Sequence, residues 1–110
     1  MIFRSFLIFV FSGLLTIVKA QDFAAWQKGY FTREGTTLPY RILYPEHYDR
    51  QKAYPLIIFL HGSAQRGNDN EKQLIHGGNF FLNDSIRNKF PSIVIFPQCG
   101  QNSTWSYFNF

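Results

Sequence analysis

At 110 residues, the chain has room for one small domain at most. It carries 11 Lys and Arg against 7 Asp and Glu, a formal charge of +4, but the cations are scattered rather than striped, so nucleic-acid binding is not expected. Cys99 is the sole cysteine, which excludes an internal disulfide, and no His, Cys or carboxylate cluster has metal-ligand spacing. No cofactor is expected.

Residues 1–20 read as a secretory signal. Arg4 supplies a positive start, residues 5–18 form an almost unbroken apolar run, and Val18-Lys19-Ala20 is a small-x-small cleavage site before Gln21. The run is short against the roughly 20 apolar residues of a membrane span. An uncleaved N-terminal anchor is the alternative. Cleavage after Ala20 takes Arg4 and Lys19 and no acid with it, so the formal charge falls from +4 to +2. The expected product is secreted or periplasmic, with no stable membrane insertion after cleavage, and its domain runs over residues 21–110.

Residues 25–32 read as a first strand. A turn over residues 33–36 follows, with Gly35 as the residue taking positive φ. Residues 38–44 form a second strand, and Pro39 near its start points to an edge or early-strand position. These two strands pair as an antiparallel hairpin. Residues 45–52 are polar and turn-rich, a surface connection.

Residues 54–60 form the third strand. Its run Leu56-Ile-Ile-Phe-Leu60 has no polar alternation, as expected of a central strand covered on both faces. Residues 62–70 are a loop. Asn70 is placed to cap a short helix over residues 71–76, which Gly77 and Gly78 would stop. Asn83 or Asp84 caps a second short helix over residues 85–89, and Pro91 follows its end. Residues 92–96 are a fourth, continuously apolar strand. Pro97-Gln-Cys-Gly100 leaves it as a loop.

The resulting fold class is α/β: an antiparallel hairpin followed by a parallel βαβ unit, in an incomplete sheet. Two buried-type strands have both faces to cover, and the chain offers one short crossover. It reads as the first part of a larger domain.

Three segments carry a resemblance to a known family. They are Tyr54-Pro-Leu-Ile-Ile-Phe-Leu-His-Gly62, then Arg66-Gly-Asn-Asp-Asn-Glu-Lys-Gln-Leu74 with His76-Gly77, and Phe90-Pro-Ser-Ile-Val-Ile-Phe-Pro-Gln-Cys99 with Trp105-Ser106. Together they make residues 30–106 resemble the N-terminal part of an α/β-hydrolase. The nearest group is the secreted, esterase-like branch related to prolyl oligopeptidase, dienelactone hydrolase and polyhydroxybutyrate depolymerase.

The resemblance implies acyl transfer by a Ser-Asp-His triad, with a small ester or peptide as substrate of the full-length protein. It also implies that the loop after the third strand donates one backbone N–H to the oxyanion. Carried onto this chain, the donor is Ser63, with Ala64 next. Members of the group commonly have Gly-x-Gly-Glu-Arg-Gly here. This chain has Gly62-Ser-Ala-Gln-Arg-Gly67, so Ala64 replaces a glycine and Gln65 an acid. No Gly-x-Ser-x-Gly occurs between Met1 and Phe110, so the triad is expected beyond residue 110 and this chain alone is expected to be inactive.

Each singled-out residue also has a plain structural reading. His61 is expected to orient the loop by hydrogen bonds at a strand end, because the triad His of such enzymes comes last in the chain. Gly62 opens that loop. Arg66, Asp69 and Glu71 are expected to pair with one another and hold its shape rather than bind an acidic substrate. Trp105 is divided between lining a substrate cleft and packing on the sheet. Two other functions remain open. One is a serine peptidase of the prolyl oligopeptidase type. The other is a non-catalytic secreted binding domain whose exposed aromatics, including Trp26, Trp105 and Tyr107, stack on carbohydrate.

Overall fold

The structure is a computed structural model and describes residues 22–106. The signal-sequence reading of residues 1–20 and the aromatic Tyr107 lie outside the described residues. The strands are β1 (Gln27–Arg33), β2 (Thr36–Leu43), β3 (Leu56–Ile58) and β4 (Ile93–Pro97). They form one sheet in the order β1-β2-β4-β3. β2 pairs antiparallel with both β1 and β4, and β3 pairs parallel with β4.

The β1–β2 connection is a two-residue turn. Glu34 (φ 51°) and Gly35 (φ 78°) both adopt positive φ, the geometry whose twist matches that of the flanking strands. Pro39 lies within β2, which is an inner strand rather than an edge. It is tolerated because the β2–β4 ladder begins one residue further on, at Tyr40↔Pro97. The β3–β4 pairing runs past the three strand residues through Ile93 N–H to Pro55 O and Phe59 N–H to Ile95 O, both 2.9 Å.

The crossover between β3 and β4 differs from the expected helix over residues 71–76. That segment holds only a 3₁₀ turn, Lys72–Leu74. Its N-cap position is Glu71, and the side chain that takes the N–H groups at its start, those of Glu71 and Lys72, is Asp69 through Oδ1, not Asn70. Asn70 takes φ 53° and turns its side chain inward. Gly77 and Gly78 start a helix instead of stopping one. Gly77 (φ 98°) is the N-cap and Gly78 the first residue of α1 (Gly78–Leu82). A Cβ at Gly77 would lie 3.4 Å from the rings of Phe59 and Phe96. α2 (Asp84–Lys89) follows, and Asn83 caps it by accepting from Ser85 and Ile86 N–H.

The core lies on one face of the sheet. Trp26, Leu43, Leu74, Val94 and Phe96 are buried, with Phe23, Phe59, Phe81 and Leu82 packed against them. Phe96 is the centre: Phe59 stacks on it at 4.4 Å, Trp26 is tilted against it at 4.8 Å, and Phe81 meets it edge-on at 5.7 Å. Trp26 is therefore not one of the exposed aromatics proposed for carbohydrate stacking. It is 2% exposed, and its indole N–H donates to Gly78 O.

The opposite face carries no cover among the described residues. Leu56, Ile58 and Leu60 are each more than half exposed, and Ile57 sits at the sheet's open edge. β3 was expected to be a central strand covered on both faces. In the described residues β4 takes the inner position and β3 the edge, since β3 pairs only with β4 among them, and the crossover masks only one face of this two-sided apolar strand.

Candidate functional site

The end of β3 and the end of β4 point the same way, since the two strands are parallel. Loops leaving parallel strands at that edge meet, which is where open α/β sheets place ligands. Here the loop after β3 (residues 61–71) meets the segment after β4 (residues 98–106).

His61 is the first residue of the β3 loop and is buried. Its Nε2 accepts the Cys99 backbone N–H at 2.9 Å, so that nitrogen carries no proton. The proton then sits on Nδ1, which donates to Gly62 O at 2.6 Å. Both ring nitrogens are committed, leaving none to take a proton from a substrate. The His61 carbonyl accepts the Trp105 indole N–H at 2.9 Å, and the two rings meet edge-to-face at 4.9 Å.

Gly62 is extended (φ −80°, ψ 177°) and leads into a 3₁₀ turn, Ser63–Gln65. The turn is closed by Gln65 N–H to Gly62 O and Arg66 N–H to Ser63 O. The first N–H groups of any helical turn have no acceptor within it. Among the described residues, the Ser63 and Ala64 N–H groups have no protein acceptor. Both residues are exposed.

Beside Ser63 lies a cleft of about 170 Å³, lined by His61, Gly62, Ser63, Arg66, Thr104 and Trp105, with Cys99 at its base. Ligand pockets usually span about 300–1,000 Å³, so this is one wall of a site rather than a full enclosure. Arg66 brings a positive charge to the rim. Its Nε donates to Ser63 O at 3.2 Å and its Nη1 to Ser103 O at 3.4 Å.

Arg66, Asp69 and Glu71 do not pair with one another, contrary to expectation. Arg66 holds loop carbonyls, whereas Glu71 receives Lys28 Nζ and Arg41 Nη2, each at 2.6 Å. The Lys28 hydrogen bond, opposed by partial burial and aided by the Arg41 and Lys28 charges, holds the Glu71 carboxyl below its usual range. For Asp69, burial pushes upward. Hydrogen bonds from Gln98 and from the Glu71 and Lys72 N–H groups, with the Lys72 charge, outweigh it and leave the carboxyl lowered. Each charge finds a different partner first: Glu71 meets Lys28 on β1 and Arg41 on β2, Asp69 meets Gln98 just past β4 and the Glu71 and Lys72 N–H groups, and Arg66 meets the Ser63 and Ser103 carbonyls.

Three buried polar residues escaped the sequence reading as parts of this site. Arg41, on β2, donates to Asn70 O and Trp26 O as well as to Glu71. Asn70, fully buried, donates its side-chain amide to Gly29 O and Tyr40 O and accepts from Gln73. Gln98, fully buried, accepts the Asn70 backbone N–H at 2.7 Å and donates to Gln65 O and Asp69 Oδ1. The only trace of this in the sequence is strand alternation, which sets Arg41 on the same face as Leu43.

With this geometry in place, likeness to known proteins narrows the reading. Over 76% of the chain, the structure matches the crystal structure of a thermostable esterase, with a TM-score of 0.69 and 31% sequence identity. The fold is that of part of an esterase-like α/β-hydrolase. The chain spans 23% of the length of that esterase. No protein-family model matches the chain, and no curated protein matches it. Among the described residues of this hydrolase-like fold, no group of three His, Cys, Asp or Glu could hold a metal ion. No described helix is long and apolar enough to cross a membrane.

Proposed function

We propose that this chain forms the oxyanion-loop portion of a secreted or periplasmic serine hydrolase acting on carboxylic esters, whose Ser-Asp-His triad lies beyond residue 110. The observation that carries the proposal is the Gly62-Ser63-Ala64 turn: two exposed N–H groups without protein acceptors, on a strand-end loop beside a cleft. The likeness to an esterase over the same residues supports it.

In acyl transfer, negative charge develops on the substrate carbonyl oxygen as the nucleophile adds. Fixed N–H donors stabilise that charge without having to reorient. The Ser63 N–H is the principal donor of this chain and Ala64 is next. The Arg66 guanidinium at the rim adds a favourable field. Trp105 forms an apolar wall on one side of the acyl group and, through His61 O, is tied to the loop it faces. His61 takes no proton in this scheme. It holds the loop.

The test removes one donor without a side-chain deletion. Gly62 already has the extended ψ that a residue before proline prefers, and the first position of a helical turn tolerates proline. Ser63→Pro, in the product of the complete reading frame, therefore deletes the N–H and keeps the turn. On p-nitrophenyl acetate, kcat is expected to fall about 10²–10³-fold with KM little changed. Unaltered kcat sinks the oxyanion reading. Residues 1–110 alone are expected to show no turnover that a serine-reactive inhibitor abolishes.

A further inference from the structure

Resting on that hydrolase reading, we propose that Gln98 is a positioning residue for the oxyanion donors, setting where the Ser63–Gln65 turn sits relative to the sheet. Its backbone is part of the frame: the Gln98 N–H donates to Pro39 O on β2 at 2.8 Å. Its side chain is fully buried, and all of its visible bonds go to the loop after β3. Nε2 donates to Gln65 O at 3.1 Å, in the last residue of the donor turn. The same nitrogen donates to Asp69 Oδ1 at 2.7 Å, and Oε1 accepts the Asn70 N–H at 2.7 Å.

One amide thus grips the loop at three residues, from the turn that presents Ser63 to the cap of the next turn. Cys99 completes the frame by accepting the Gly67 N–H at 2.9 Å and donating to His61. The loop is left with little freedom between its first residue and Asn70. An amide is the side chain this position requires. It must donate on one side, to a carbonyl and a carboxylate, and accept on the other, from a backbone N–H.

Displacing a catalytic donor by about 1 Å costs on the order of 100-fold in rate, because the group no longer meets the transition state. Gln98→Met keeps the volume and removes all three side-chain bonds while leaving the backbone bond to Pro39 O in place. In the product of the complete reading frame it is expected to lower kcat about 100-fold on p-nitrophenyl acetate. KM should stay close to the parent value, and amide exchange at Gln65, Arg66 and Asn70 should accelerate. Gln98→Glu retains the acceptor for Asn70 but sets an oxygen against Gln65 O and Asp69. It serves, with the same expected fall in kcat, where Gln98→Met does not fold. Ser63→Pro is measured beside them. Loss of kcat in Ser63→Pro with parent kcat in the Gln98 variants overturns this inference and leaves the hydrolase reading standing. A rise in KM at parent kcat overturns it too, since Gln98 would then act on substrate binding. Parent kcat in all variants overturns both this inference and the oxyanion role of the Ser63 turn, while ester hydrolysis itself stands.

Discussion

His61 and Cys99 are joined by a hydrogen bond in which the imidazole Nε2 accepts the backbone N–H at 2.9 Å. The bond links the ends of two parallel strands, β3 and β4, at the edge where the cleft opens. It also sets the tautomer, because the accepting nitrogen cannot carry the proton. A histidine that invites a catalytic role from its place in the sequence is thereby a structural post.

His61→Ala leaves the buried Cys99 N–H without a partner. An unsatisfied buried donor costs about 1–3 kcal/mol. The expected result is a lower urea midpoint at unchanged m-value, measured on the folded product of the complete reading frame. Activity should fall with the loop's order but remain measurable, unlike the near-complete loss on removing a nucleophile. Complete loss of kcat at parent stability would mean that His61 is a proton carrier after all.

Acid is expected to loosen the loop through Glu71 and Asp69. Both carboxyls lie below their usual values in the folded chain, Glu71 chiefly through Lys28 and Asp69 chiefly through Gln98 once burial is offset. A carboxyl lowered on folding contributes stability that is fully present above its unfolded pKa, about 4. That contribution is lost as pH falls through the lower, folded value. The urea midpoint should therefore be flat near pH 6 and decline below about pH 4. Glu71→Gln should make the decline shallower, and an identical acid profile in that variant would show that the Lys28 and Arg41 pairs are energetically idle.

Gly67 is a position where backbone conformation decides the residue. It has φ 150°, a region that side chains rarely adopt, and an added Cβ would lie 3.4 Å from Gln98 Nε2. Gly67→Ala is expected to cost about 1–3 kcal/mol from the strained dihedral alone. Because Gly67 N–H also donates to Cys99 O, the loss should appear locally first. Amide exchange at residues 61–71 should rise more than exchange in β2 and β4.

The elements were legible because their signals are local. The apolar runs at residues 54–60 and 92–96, the Glu34-Gly35 turn and the Asn83 cap each depend on neighbours in sequence, and each lies within a few residues of its place in the structure. The grip on the loop was not legible, because the side chains of Arg41, Asn70 and Gln98 find partners as far as 41 residues away. Asn70 illustrates the cost of a local rule. It has the residue type of a cap, yet its amide is drawn to two strand carbonyls, and the N–H groups at the start of the turn go to Asp69 instead. Likewise Gly77 and Gly78 look like a helix stop. What decides is that Gly77 takes φ 98°, which side chains rarely adopt, and a Cβ on Gly78 would lie 2.8 Å from the Phe23 ring, so the same pair begins a helix.

The uncovered sheet face makes a prediction that separates the chain alone from the chain within the larger hydrolase domain proposed for it. Leu56 and Ile58 are 57% and 58% exposed and sit in register with Ile93 and Ile95 on the face away from the core. Contiguous apolar strand surface at an open edge is a template for association. The 110-residue chain should therefore sediment as oligomers at micromolar concentration. Leu56→Thr with Ile58→Thr, which keeps strand propensity, should shift it toward monomer. In the 110-residue chain diluted until it is monomeric, these substitutions should leave the urea midpoint almost unchanged, since the side chains touch little within one chain. In the product of the complete reading frame they should destabilise by about 1.5–3 kcal/mol each, the transfer free energy of a buried aliphatic side chain. Equal effects in the two settings would mean that the face is not buried by further chain, and the reading of this sheet as part of a larger hydrolase domain would fall.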